Sequence, residues 1–153
     1  MKFGLFYEHQ LPRPYDKDDW DPDAEHKLFK DALDQLELAD KLGFDYVFEV
    51  EHHFLEEYAH STAPEVFLAA ASQRTKRIRL GHGIVLMPPR YNHPARVAER
   101  IATLDIVSNG RVDFGTGESS SEMELGGFGI SRDRKSTRLN SSHIQKSRMP
   151  SSA

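Results

Sequence analysis

The sequence predicts an α/β fold in which parallel strands alternate with helices. Two observations carry that expectation. Short apolar runs of strand length begin near residues 2, 45, 78 and 112, at successive spacings of 43, 33 and 34 residues, and every interval holds a stretch with helical periodicity or helix start and stop signals. Strands that follow one another in this way need a crossover between them, and a helix packed on one face of the sheet supplies it.

Lys2 to Tyr7 (KFGLFY) is the first strand, and the polar, proline-bearing segment behind it reads as a long loop. From Asp23 the apolar residues Leu28, Phe29, Ala32, Leu33, Leu36, Ala39 and Leu42 recur at three- and four-residue steps, with Gly43 as the stop. Asp45 to Val50 is a buried strand that runs into the polar, aromatic turn Glu51-His52-His53-Phe54. A second helix is expected from about Ala63-Pro64 to Arg74, and a third strand over Ile78 to Met87, ended by Pro88-Pro89. Asn92-His93-Pro94 reads as an N-cap leading to proline in the first turn of a third helix, whose Val97, Ile101, Leu104 and Val107 share a face. Asn109-Gly110 closes it, and Val112 to Gly115 begins a fourth strand. A series of this kind builds either an open doubly wound sheet or a closed eight-stranded barrel, and pattern alone leaves both open.

Composition narrows the function classes. With 153 residues, 38% hydrophobic and 29% charged, the chain fits one domain with a core. It contains no run of about 18 apolar residues, and its N-terminus lacks the pattern of a secretory signal, so a cytoplasmic protein with no membrane partner is expected. The lack of cysteine excludes disulfides, thiolate metal sites and a cysteine nucleophile, leaving any redox chemistry to a bound cofactor. Residues 131–153 hold six Lys/Arg against one acid within a chain of net charge −4, so the remaining residues carry −9 and nucleic acid is not an expected partner. That C-terminal stretch has seven serines and no periodic apolar face; it is expected to be disordered and resembles a non-native extension.

Three segments carry a family resemblance: Phe44 to Phe54 (FDYVFEVEHHF), Gly81-His82-Gly83-Ile84-Val85 with Asn92-His93-Pro94, and Asn109 to Gly117 (NGRVDFGTG). In this order and spacing they resemble the luciferase-like monooxygenase family over roughly residues 1–130. The resemblance implies a (β/α)8 barrel of the TIM type, truncated after about four βα units, with a flavin at the C-terminal ends of the strands. It further implies a flavin-dependent oxidoreductase of the monooxygenase kind, in which reduced FMN and oxygen act on a small organic substrate and a flavin reductase supplies the reduced flavin. Some members use a deazaflavin coenzyme as a hydride carrier instead. A homodimer is compatible with the resemblance.

The resemblance places a catalytic histidine at His52, beside the flavin, where an imidazole can exchange protons near neutral pH; the bland alternative is a loop histidine bonded to a neighbouring carbonyl. His53 is expected to point the other way and support, and Glu51 to orient an imidazole or hold the loop. His82, Gly83 and Ile84 match a segment where the family commonly has a non-prolyl cis peptide against the flavin, although Gly81 and Gly83 equally suit close packing. Thr116, Gly117, Glu118 and the serines Ser119 to Ser121 fall in a stretch the family uses near the flavin, where small hydroxyls and backbone amides could meet a phosphate or flavin edge, and Glu118 stands where relatives often have arginine, which weakens a phosphate contact there. Glu49, Glu51, His52, His53 and His60 also invite a metal reading, but adjacent histidines rarely converge on one ion, and no metal is expected. Arg111 is expected to form a salt bridge at the lower rim, and Phe3, Phe6, Tyr46, Phe48 and Phe54 to serve as core or pocket wall. Two rival readings stand beside the enzyme: an inactive barrel fragment that binds no flavin, and a metal-dependent barrel hydrolase, for which only the second strand end offers ligands.

Overall fold

Four strands and three long helices alternate along the chain: β1 (Gly4–Tyr7), α1 (Ala24–Leu42), β2 (Tyr46–Glu49), α2 (Pro64–Arg74), β3 (Arg79–His82), α3 (Pro94–Val107) and β5 (Val112–Asp113). Two short strands, β4 (Val85–Leu86) and β6 (Thr116–Gly117), and a short helix, α4 (Glu122–Gly127), follow β3 and β5. The computed structural model describes residues 1–13, 19–119 and 121–130; the C-terminal tail expected over 131–153 lies outside them.

The sheet runs β1-β2-β3-β5, every pair parallel. Each new strand adds at the same edge. An open doubly wound sheet starts near its middle and reverses direction, whereas a barrel adds strands in sequence, so this order is the one a barrel follows.

Register explains which face the helices cover. Leu5, Val47, Leu80 and Val112 align across the four strands and join the core with Ala32, Leu36 and Ala39 of α1, Phe67, Leu68 and Ala71 of α2, and Val97, Ile101 and Leu104 of α3. The neighbouring row, Phe6, Phe48, Gly81 and Asp113, faces the other way, and Phe6 remains 60% exposed. A Cβ on Gly81 would stand 2.3 Å from the Phe48 ring, so glycine there lets the ring lie against the neighbouring strand.

The helices begin and end as the residues dictate. Pro64 and Pro94 occupy first turns, where no N–H is needed. Gly43 adopts φ 89° and donates its N–H to the carbonyls of Ala39 and Asp40, closing α1. Within the expected cap segment Asn92-His93-Pro94, the capping residue of α3 is His93: its side chain accepts from Ala95 N–H at 3.2 Å. Leu42 and Val107, expected on buried faces, are exposed; each is the last residue of its helix.

The expected strand Ile78 to Met87 is two pieces. It breaks at Gly83–Ile84, whose peptide bond is cis, and β4 then pairs in parallel with β6. The break in the neighbouring strand falls at Phe114-Gly115, where a Cβ on Gly115 would meet the His82 carbonyl oxygen at 2.3 Å.

Among the described residues Arg111 has no salt-bridge partner, contrary to expectation. It is buried and donates to the carbonyls of Ser72, Thr75, Ile78 and Ser108 and to Thr75 Oγ1, setting a cation against the C-terminal ends of α2 and α3. Asp40 works beside it, accepting the N–H groups of Lys76 (2.8 Å), Arg77 (2.9 Å) and Ile78 (2.6 Å) at the entry to β3. Burial alone would raise the Asp40 carboxyl pKa, but the three amide bonds and Arg111 outweigh it and hold it below the ordinary value. Asp40→Ala therefore lowers unfolding free energy by about 2–4 kcal/mol in urea titrations near neutral pH. Because the folded pKa is depressed, this advantage of the wild type is complete above about pH 4 and disappears as the pH falls through the lower folded value.

Candidate active site

β2 delivers Val50, Glu51, His52 and His53 to the C-terminal end of the sheet, the end at which barrels of this type place their chemistry. Glu51 is buried and fully engaged. One carboxylate oxygen accepts Leu86 N–H at 2.7 Å; the other accepts His53 Nε2–H at 3.0 Å and Asn92 Nδ2–H at 2.9 Å. Asn92 is itself held, since Arg100 donates to its Oδ1 at 2.5 Å. Glu51 thus ties the loop after β2 to β4 and to the start of α3.

His52 turns toward a different carboxylate. Its Nδ1 lies 2.9 Å from Glu124 Oε1, with the His52 side chain 25% exposed and that of Glu124 1% exposed. The same oxygen accepts His53 N–H at 2.9 Å, and Ser119 Oγ donates to the other oxygen. Burial alone would push the Glu124 carboxyl up, but the bonds from Ser119, His53 and His52 together outweigh it and hold the group below its ordinary range. Glu124 is therefore an ionised, acceptor-only partner. The His52 ring also meets Tyr58 edge-on at 5.4 Å.

A cleft of about 140 Å³ opens between these groups. Val50, Gly83, Ile84 and Leu86 give it an apolar floor; His52, Ser119, Ser121 and the carboxylates Glu51, Glu118 and Glu124 line its rim. Among the described residues no Lys or Arg lines it. The cleft is smaller than the about 300–1,000 Å³ that ligand pockets usually enclose.

Of the residues singled out in the sequence, His52, Glu51, Gly83 and Ile84 meet at this cleft. His53 lies beside it, bonded to Glu51 and packed edge-on against Phe128 at 5.0 Å. Thr116 and Gly117 stand one layer back in β6, paired with Val85 and Leu86. A Cβ on Gly117 would meet Ile84 Cδ1 at 2.2 Å, so Gly117 shapes the floor through Ile84. His82 is buried behind the sheet, edge-on to Phe114 at 6.1 Å.

The Glu49 to His60 cluster disperses. Glu49 lies 3.0 Å from the buried His9 and accepts from Ser61 Oγ at 2.7 Å; burial pushes its carboxyl pKa up against these two contacts. His60 pairs with Glu25 at 2.9 Å. Among the described residues no group of three or more His, Asp or Glu side chains is arranged to hold a metal ion.

Ser119 and Ser121, read as hydroxyls near a cofactor, do line the cleft, whereas Glu124 and the supporting roles of Asn92 and His9 escaped sequence reasoning. For Glu124 a signal existed: Ser121-Glu122-Met123-Glu124 has the S-x-x-E spacing of a capping box. Ser121 does cap α4, but Glu124 turns to the histidine loop instead of back to Ser121 N–H, which goes to Ser119 Oγ at 3.0 Å.

The sequence profile of the luciferase-like monooxygenase family matches residues 1–141. Limonene 1,2-monooxygenase of Rhodococcus erythropolis is 46% identical over 99 residues, covering 63% of this chain and 24% of that protein. The F420-dependent glucose-6-phosphate dehydrogenase of Intrasporangium calvum is 35% identical over 114 residues, covering 72% of this chain and 34% of its own. Among solved structures, the oxygenating constituent of 3,6-diketocamphane monooxygenase from Pseudomonas putida, in complex with FMN, superimposes with a TM-score of 0.73 at 26% identity, over 86% of this chain and 33% of that one. The chain thus spans about a quarter to a third of the length of these relatives.

His82 gives the site region a pH signature. Burial lowers its pKa from 6.5 to about 4, the Glu51 charge opposing and Arg100 adding to the effect. The unfolded chain therefore binds a proton that the folded chain refuses between about pH 6.5 and pH 4, and stability falls on acidification through that window by up to about 1.4 kcal/mol per pH unit. Urea titrations should show this slope in the wild type and a flatter profile in His82→Leu.

Proposed function

Since the chain belongs to the luciferase-like monooxygenase family, we propose that it forms the N-terminal part of a flavin-dependent monooxygenase in which His52 is the catalytic acid and base. The observation that carries this reading is the bond from His52 Nδ1 to the buried Glu124 carboxylate at the rim of a cleft at the strand ends. An imidazole so held has one nitrogen engaged and the other left to serve the cleft as acid or base.

The residues fit one part of an FMN and not another. The floor of Gly83, Ile84 and Leu86 suits the face of a flat apolar ring, and the hydroxyls of Ser119 and Ser121 with His52 suit its polar edge. The rim carboxylates Glu51, Glu118 and Glu124 do not suit a phosphate, whose place in this reading is on βα units beyond those described. Bound reduced FMN would supply the electrons with which oxygen oxidises a small organic substrate. The protein's share is to hold the ring against Gly83–Ile84, to keep water from it, and to move a proton at His52 Nε2.

The P. putida neighbour is the oxygenating constituent of its enzyme, and by analogy this protein would draw reduced flavin from a separate reductase. The F420-dependent relative favours a second reading, hydride transfer with a deazaflavin coenzyme at the same cleft.

Titration with FMN and with F420, run on this chain and on a form carrying further βα units, separates these readings. Saturable FMN binding is expected in the longer form. His52→Ala should leave that binding within a few-fold and lower turnover by about 10²–10⁴. Failure of both forms to bind FMN, or wild-type turnover in His52→Ala, contradicts the proposal; selective F420 binding with hydride transfer establishes the second reading.

A further inference from the structure

The two adjacent imidazoles after β2 are held through opposite nitrogens. His53 is bound at Nε2, by Glu51, and His52 at Nδ1, by Glu124. We propose that Glu124 is the positioning residue that fixes His52 as its Nδ1–H tautomer, so that Nε2 is the nitrogen that takes up and returns the proton at the cleft. This rests on the reading of His52 as the acid and base of the site.

Three features make Glu124 an acceptor that cannot yield. His53 N–H, a backbone donor with no alternative protonation state, is bound to Oε1 at 2.9 Å and pins that oxygen in place beside His52 Nδ1. Ser119 Oγ donates to Oε2 and itself accepts Ser121 N–H at 3.0 Å, so the second oxygen is anchored to the start of α4. The carboxylate is buried at 1% exposure, where an unpaired charge would be costly, and the two donors that do not depend on a tautomer, His53 N–H and Ser119 Oγ–H, both serve its ionised form. A neutral imidazole facing such a group has to present N–H, and with that proton on Nδ1 its Nε2 carries the lone pair.

The ring is steadied on another side as well. Tyr58 meets it edge-on, and Tyr58 Oη donates to Glu8 at 2.9 Å, which holds the phenol in place. Orientation and tautomer are thus set by separate contacts, as when a buried carboxylate holds the base of a catalytic triad. In its neutral form His52 offers the cleft an acceptor; once protonated there it becomes a donor, and the proton leaves by the same nitrogen. Glu124 does not itself exchange a proton in this scheme.

The ¹⁵N resonances of the His52 ring, assigned by their loss in His52→Gln, test the assignment in the absence of any flavin. At a pH where the ring is neutral, the wild type should show a protonated Nδ1 and an unprotonated Nε2. Glu124→Leu should shift the population to Nε2–H, the form a free imidazole prefers. Glu124→Gln should keep Nδ1–H, because His53 N–H demands the amide oxygen at the Oε1 position and that oxygen still accepts from Nδ1. A wild-type ring protonated at Nε2 overturns the proposal even if the leucine variant does not fold, and so does loss of Nδ1–H in the glutamine variant. An Nδ1–H ring in a protein that binds no flavin would leave the tautomer assignment standing and remove only the catalytic reading. In flavin-loaded protein, Glu124→Leu should lower kcat by about 10²–10⁴ with little change in KM, and Glu124→Gln should recover most of it.

Discussion

The loop that follows β2 is held in place by two buried carboxylates, and the site depends on them. Glu51 reaches to β4 and to Asn92 at the start of α3; Glu124 reaches back from α4 to both histidines and to Ser119. A loop carrying two imidazoles and an exposed phenylalanine has little apolar surface with which to order itself. Hydrogen bonds to these two buried carboxyl groups do that work here. With Glu51 bonded to β4 and the start of α3, and Glu124 reaching the loop from a helix 71 and 72 residues away, the loop is a junction between the second, third and fourth βα units.

The sheet supplies the frame for this junction through the same physics that orders its core. With Leu5, Val47, Leu80 and Val112 aligned beneath the helices, the next residues along each strand project alternately to the two faces, and the strand ends come level with one another. Close approach then depends on absent side chains: Gly81 under the Phe48 ring, Gly115 against the His82 carbonyl, Gly117 against Ile84. Of these, Gly115 and Gly117 let Ile84 take its place in the floor of the cleft. Acid and arginine at the opposite end, Asp40 and Arg111, bind backbone amides and carbonyls at the entry to β3 and so set where that strand begins.

Helix boundaries were legible in the sequence because the residues that make them act locally. Proline at 64 and 94, glycine at 43 and the three- and four-residue steps of Ala32, Leu36 and Ala39 need no partner to be understood. His52 and Glu51 were legible from their place after an apolar strand and from resemblance to a family. The rest depended on contacts distant in sequence. Nothing near His52 announces Glu124, whose spacing from Ser121 speaks of a helix start and says nothing of an imidazole 72 residues back. Arg111 reads as a surface cation until the carbonyls of two helix ends are seen around it. His82 reads as a strand-end ligand until the register puts it on the helix-covered side of the sheet, where burial keeps it neutral down to about pH 4. The cis peptide at Gly83–Ile84, where the third strand breaks, was legible from the family resemblance, whereas the break of the fourth strand at Phe114-Gly115 was not.

The most direct test of the account is a crystal structure of the protein with bound FMN, in a form that retains flavin. The account places the ring on the floor of Gly83 and Ile84 with a polar edge atom within about 3 Å of His52 Nε2, while Nδ1 remains on Glu124. A flavin seated elsewhere, or on this floor with its polar edge turned away from His52, would contradict it.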